Sequence, residues 1–241
     1  MKRRQKKFLK YNNYYRISGF SLTLRNHDVF YPSVTMQNIM DIYNFDHEFR
    51  TIIFDIITKI EINIKSIYAY YFAKEYGATG YLDNRNFYNE EIYNNTINKV
   101  NESVKQNVKH EDYMKHFADI VEKLPFWAYI ESFTLSDLSK IYSISKLDLK
   151  KTIAIEFGLK SNNGYKIMES YLRCLAFLRN ICTHGGRLYN RRFNTKPNLS
   201  RKEKRLLIKD KNGNPDNSLL YGYIINIKRL AQSIQNKIFS M

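Results

Sequence analysis

The stretch that decides the fold is DHEFRTIIFDIITKIEINIKSIYAYYFAKE, residues 46–75. In it Phe49, Ile52, Ile53, Ile56, Ile57, Ile60, Ile64, Ile67, Tyr68 and Tyr71 recur at intervals of three and four, the period of a long helix that buries one stripe. Gly77 and Gly80 supply its stop. A second helix is predicted over Tyr165 to His184, where Ile167, Met168, Tyr171, Leu172, Leu175, Leu178 and Cys182 share a face and Gly185-Gly186 ends the run.

Outward from these two segments the same grammar continues. Pro125 stands at a first helical position ahead of Phe126-Trp127-Ala128-Tyr129, with Trp127 expected in the core. Ser136 to Ser143 and Lys146 to Phe157 read as short helices, and Leu219 to Phe239 as a closing one. Residues 84–119 are Asn-rich and charged, predicting one or two shorter helices around a solvated connection. With only 9 Gly and 4 Pro in 241 residues, few turns are available for a many-stranded fold. The expectation is an all-α, HEPN-like helical bundle forming one domain over residues 1–241. Residues 1–45 make a basic, aromatic, irregular arm, and residues 165–190 the motif-bearing helix and its following loop.

The formal net charge of +16 favours polyanionic partners. The run Lys2-Arg3-Arg4-Gln5-Lys6-Lys7 is followed by residues too polar for a signal peptide, and no apolar run nears the ~20 residues of a membrane span. Cys174 and Cys182, eight helical positions apart, stand about 12 Å from each other, too far for a disulfide. A cytoplasmic, reducing compartment fits, with no membrane partner. Cys182-Thr183-His184 has no second Cys/His pair at zinc spacing, so neither metal nor other cofactor is expected.

On a wheel of 100° per residue, Arg179 falls in the arc of Met168, Tyr171, Leu172 and Leu175, where a charge requires a partner or an anionic ligand. Arg173, Phe177, Asn180 and His184 form a separate stripe, with Asn180 placed to fix the His184 ring. Arg179 and His184 lie about 140° apart on a straight helix. Either the helix breaks and swings His184 round, or two copies of the segment face each other. Both bring a proton-transferring His beside a cationic Arg, a pair suited to attack by an RNA 2′-hydroxyl on its neighbouring phosphodiester. Spacing by itself favours a plainer arrangement, an Arg paired with a buried Glu and a His capping the helix C-terminus.

Five motifs follow one another in order: Tyr14-Tyr15-Arg16-Ile17-Ser18-Gly19-Phe20; Phe45-Asp46 ahead of Ile60-Glu61-Ile62; Leu124-Pro125-Phe126-Trp127; Leu138-Ser139-Lys140-Ile141-Tyr142; and Leu178-Arg179-Asn180-Ile181-Cys182-Thr183-His184. Over residues 14–190 the chain resembles the abortive-infection proteins of the AbiD/AbiF type, which are similar to the HEPN superfamily. The resemblance maps that superfamily's Arg-polar-His motif onto Arg179, Asn180 and His184. It implies a metal-independent endoribonuclease with 2′,3′-cyclic phosphate products, acting in phage defence or as a toxin. It also implies a homodimer whose two motifs meet at one site, with a regulatory RNA or protein in some relatives. Thr134 departs from the Gly that relatives often carry there.

Further candidates are Glu61, as a carboxylate behind Arg179 or as the partner of another buried cation, and Arg173, Arg187, Tyr189, Arg191 and Arg192 as RNA-binding residues. In these, cations grip phosphates and aromatic faces stack bases; the alternative for them is a solvated loop. His27, His47, His110 and His116 have no partner at helical spacing and carry no expected function. The rival reading of the whole surface is a non-catalytic module that binds or senses RNA.

Overall fold

A computed structural model of the chain describes residues 3–107 and 124–238. His110, His116 and Phe239 lie outside the described residues. The helices are α1 (Arg3–Tyr11), α2 (Tyr14–Ser18), α3 (Met36–Tyr76), α4 (Glu90–Asn107), α5 (Phe126–Tyr129), α6 (Leu135–Ile144), α7 (Leu147–Glu156), α8 (Gly164–Thr183), α9 (Arg201–Lys204) and α10 (Leu220–Ile238). Two-residue strands, β1 (Arg25–Asn26) and β2 (Val29–Phe30), pair antiparallel, Arg25 opposite Phe30. The fold class is all-α, as expected.

α8 is the central element and packs against α3, α6, α7 and α10. Its Met168, Tyr171, Leu172, Leu175 and Leu178 are fully buried, as are Ile57, Ile60, Ile64, Tyr68 and Phe72 of α3 to within about 1%. Leu or Ile side chains buried to this degree contribute about 1.5–3 kcal/mol each, so these two stripes hold the bundle together. Ile52, expected on the apolar face of α3, is 56% exposed. The buried arc follows Ile53 and Ile57, which leaves Ile52 on the outer side.

α3 begins ten residues before the expected start. Asn38 takes the place of the usual Glu in a capping box: its Oδ1 accepts from the Thr35 backbone N–H at 2.9 Å and the Thr35 hydroxyl at 2.8 Å. At 1.5 Å per residue its 41 residues reach about 61 Å. Gly77, with φ of 80°, ends it where the sequence indicated.

The arm is not irregular. Ile17 and Phe20 are buried against Ile39 of α3, with Phe8, Leu9, Tyr43 and Tyr189 packed around them. This second small core ties α1, α2 and the hairpin to the start of α3 and to the loop after α8. The Asn13 side chain starts α2 by accepting from Tyr15 N–H at 2.9 Å.

Trp127 is also not where composition put it. α5 is one turn long, with Pro125 at the N-cap rather than inside it. Phe126, Tyr129 and Ile130, at i, i+3 and i+4, occupy the inward side, so Trp127 at i+1 points away and is 55% exposed. Thr134, the departure noted above, caps α6: its hydroxyl and backbone N–H both bond the Asp137 carboxylate, at 2.6 and 3.0 Å.

Candidate functional site

The motif lies at the C-terminal end of α8, and the geometry of that end decides what its residues can reach. His184 is the C-cap, with φ −85° and ψ 10°, still close to the helical path. Its backbone N–H donates to Asn180 C=O at 3.0 Å. The stop then closes with Gly186 N–H to Ile181 C=O at 2.8 Å and Gly185 N–H to Cys182 C=O at 3.1 Å. These are the paired 6→1 and 5→2 bonds that satisfy the last carbonyls of a helix ending on a left-handed glycine. Gly185 has φ of 62°, and a Cβ there would run into the Arg16 guanidinium.

The helix therefore does not break before His184, and the break that would swing it toward Arg179 is absent. The Arg179 guanidinium lies over the Phe54 ring of α3, 5.9 Å from its centroid, in cation–π contact. Among the described residues Arg179 has no carboxylate partner of the kind that spacing allowed. Glu61 pairs instead with Lys65 at 3.5 Å, and Lys65 also donates to Glu131 C=O at 3.1 Å. Glu61 is seven residues beyond Phe54, about 10.5 Å along α3. His184 is exposed and follows the stripe of Arg173, Phe177 and Asn180, of which these three line one groove. Asn180 meets His184 through its backbone carbonyl. Within one chain, then, Arg179 faces α3, and His184, about 140° further round on helical geometry, is exposed.

What holds the end of α8 in place is a clamp of charged residues from the arm and α3. The Asp46 carboxylate accepts the backbone N–H groups of Leu188 at 2.9 Å and Tyr189 at 2.6 Å. It also pairs with Arg50, both side chains being buried, and Arg50 donates to Gly186 C=O at 3.3 Å. Arg16 donates to Gly185 C=O. Two backbone carbonyls and two backbone amides that follow His184 are thus fixed by side chains more than a hundred residues away in sequence. Asp46 and Arg50 stand at i and i+4, a spacing at which helical ion pairs form, and that was the available signal. His47, expected to lack a partner at helical spacing, has one: its Nδ1 is 3.3 Å from Arg50 Nη2. His47, Arg50, Thr51, Phe54, Thr183 and Gly185 line a cavity of about 390 Å³ beside the motif.

The cations of the loop are largely engaged in folding it. Arg187 donates to Tyr189 C=O at 2.8 Å and Asn190 C=O at 3.4 Å, and burial lowers its pKa below the usual arginine value. Arg191 donates to Arg187 C=O at 3.4 Å and lies over Phe193, 5.7 Å from the ring centroid. Arg192 bonds Asp216 at 2.7 Å and the Ser218 hydroxyl at 2.9 Å. The Ser218 hydroxyl and backbone N–H, with Arg192, hold the Asp216 carboxyl at about 2. The Tyr189 hydroxyl meets Thr23 at 3.0 Å. Arg173 makes no ion pair or hydrogen bond among the described residues.

Burial pushes the Cys182 thiol up to about 11, so it is protonated at neutral pH. Among the described residues no three His, Cys, Asp or Glu side chains stand close enough together to hold a metal ion. Among them, too, no helix is long and apolar enough to cross a membrane.

The class this defines is an all-α, strongly basic protein whose central helix ends on an Arg-Asn-Ile-Cys-Thr-His segment braced by a charged clamp. The chain belongs to the family described as Abi-like protein, whose model matches residues 7–190, and this membership points to abortive-infection phage defence. The matched span contains the clamp and the whole motif, and stops before Arg191, Arg192 and α10. No curated protein and no solved structure matches the chain.

Proposed function

We propose that the protein is a metal-independent endoribonuclease of the HEPN kind, used in phage defence or as a toxin, and that it works as a homodimer. The observation that carries this reading is that Arg179 and His184 stand near the C-terminal end and at the C-cap of one unbroken helix, where five residues on helical geometry separate them by about 140°. An isologous interface sets the same patch of each chain opposite its twin, so Arg179 of one chain stands beside His184 of the other.

In that site His184 takes the proton from a ribose 2′-hydroxyl, and the 2′-oxygen attacks the adjacent phosphorus. Arg179 neutralises the charge that develops on the phosphoryl oxygens. The P–O5′ bond breaks, the leaving oxygen takes up a proton, and the products are a 2′,3′-cyclic phosphate and a 5′-hydroxyl. Asn180, one turn before His184, has the part of holding its ring. Deoxyribose lacks the nucleophile, so DNA is spared.

The test is incubation of the wild type and His184→Ala with a mixed RNA pool in EDTA. Cleavage by the wild type alone, leaving cyclic phosphate ends, is the expected result. Binding without cleavage by either protein would replace this reading with a non-catalytic RNA-binding module.

A further inference from the structure

Two helices present facing stripes of side chains that, apart from the Ser143 hydroxyl donating to Lys140 C=O at 2.7 Å, make no hydrogen bond or ion pair among the described residues. On α6, Ser136, Ser139, Lys140 and Ser143 stand at i, i+3, i+4 and i+7. On α8, Arg173, Phe177 and Asn180 stand at i, i+4 and i+7, and together these residues line a groove of about 430 Å³. The opposite faces of both helices are core, with Leu138, Ile141 and Tyr142 of α6 and Leu172 and Leu175 of α8 all buried. The groove is therefore a surface left over after packing.

Its chemistry is that of a receptor for an anionic chain. Glu169, the one carboxylate among the described residues of the lining, is taken by Lys150 at 3.3 Å, which leaves the charge of Lys140 and Arg173 uncompensated among those residues. Among the described residues neither of these cations, nor the hydroxyls of Ser136 and Ser139, has a hydrogen-bond or ion-pair partner. This contrasts with Arg187, Arg191 and Arg192, whose guanidinium groups are spent within their own loop. Phe177 is half-buried, braced edge-on by Phe193 with ring centroids 6.4 Å apart, and adds an aromatic surface between the cations.

The groove also has direction. Arg173 and His184 are eleven residues apart on the same helix, about 16.5 Å at 1.5 Å per residue. That is the length of roughly five stacked nucleotides at 3.4 Å each.

We propose that the groove between α6 and α8 is a track for single-stranded RNA, seating about five nucleotides on one side of the bond that His184 cuts. Lys140 and Arg173 hold phosphates, the serine hydroxyls meet sugar and base edges, and Phe177 takes an unpaired base. An aromatic face reached from a groove reads bases only when they are unstacked, so the track selects single strands over duplex. The proposal deepens the ribonuclease reading by naming the substrate form, and it rests on that reading only for the position of the cut.

The test is fluorescence anisotropy with His184→Ala protein and a labelled RNA decamer, so that binding is measured whether or not the wild type cleaves. Replacing both Lys140 and Arg173 with Gln should weaken binding at least tenfold. It should also reduce the slope of log K against log salt by about 1.4, two phosphates at 0.7 each for single strands. Phe177→Leu should weaken binding of the decamer more than that of a duplex of equal length. Unchanged affinity and slope in the double variant would overturn the track. So would displacement of the RNA by an equal concentration of polyglutamate of the same length, which would make the groove a surface for acidic protein. If the decamer binds as expected and the wild type cleaves no RNA, the track stands and the nuclease reading fails.

Discussion

Replacing Asp46 with Ala tests the clamp that fixes the chain after His184. Asp46 is 1% exposed and Arg50 6%, so removing the carboxylate leaves a buried guanidinium without its counter-charge. Breaking one side of a buried pair costs about 3–5 kcal/mol. The two backbone N–H groups of Leu188 and Tyr189 lose their acceptor in the same step. For a chain of this length each kcal/mol lowers Tm by about 2–4 °C, so the expected fall is about 6–20 °C. Asp46→Asn keeps an acceptor for the two amides and loses only the charge, so it should fall between the wild type and Ala. Adding Arg50→Met to Asp46→Ala removes the stranded cation and should recover part of the loss. Calorimetry reads all three. A fall below about 2 °C for Asp46→Ala, or a double variant no better than the single, would refute the reasoning that the pair is buried and that the loop depends on it.

Two further outcomes follow from α8 and the glycine that ends it. Gly185→Ala places a Cβ on a residue with φ of 62° and against Arg16. The left-handed conformation alone costs an L residue about 1–2 kcal/mol, so thermal unfolding should show a loss of at least that size and Gly185→Asn a smaller one. Burial raises both thiols, Cys174 and Cys182, to about 11 from an ordinary 9.0. The unfolded chain then releases these protons first, and stability should decline as pH rises from about 9 toward 11. Replacing both cysteines with Ala or Val should flatten that part of the stability curve; an unchanged curve would show that the thiols are not buried.

The long helices were legible because burial and period coincide in them. The stripes of α3 and α8 need no distant information, and Gly77 and Gly185 mark their ends by φ requirements that few other residues meet. The structure of the arm was not legible, since Ile17 and Phe20 are few and their cover comes from Ile39 and Tyr189, far off in sequence. Trp127 misled because its size argues for the core, while a single turn cannot turn four consecutive side chains inward. At the site, the separation of Arg179 from His184 could be read from helix geometry alone. The clamp could not, because Asp46 meets its amides 142 and 143 residues away. Nor does composition distinguish an arginine such as Arg192, tied to Asp216, from one such as Arg173 that is unpaired among the described residues.

The central claim is that Arg179 and His184 act across a two-fold interface. Arg179→Ala and His184→Ala should each be inactive alone and should each sediment as dimers. Mixed and refolded together in equal amounts, half the dimers pair one variant with the other, and each such dimer holds one complete site of two, so activity on RNA should return to about a quarter of wild type. Mixed dimers that form, as sedimentation of differently tagged chains would show, and yet cut no RNA would contradict the shared site.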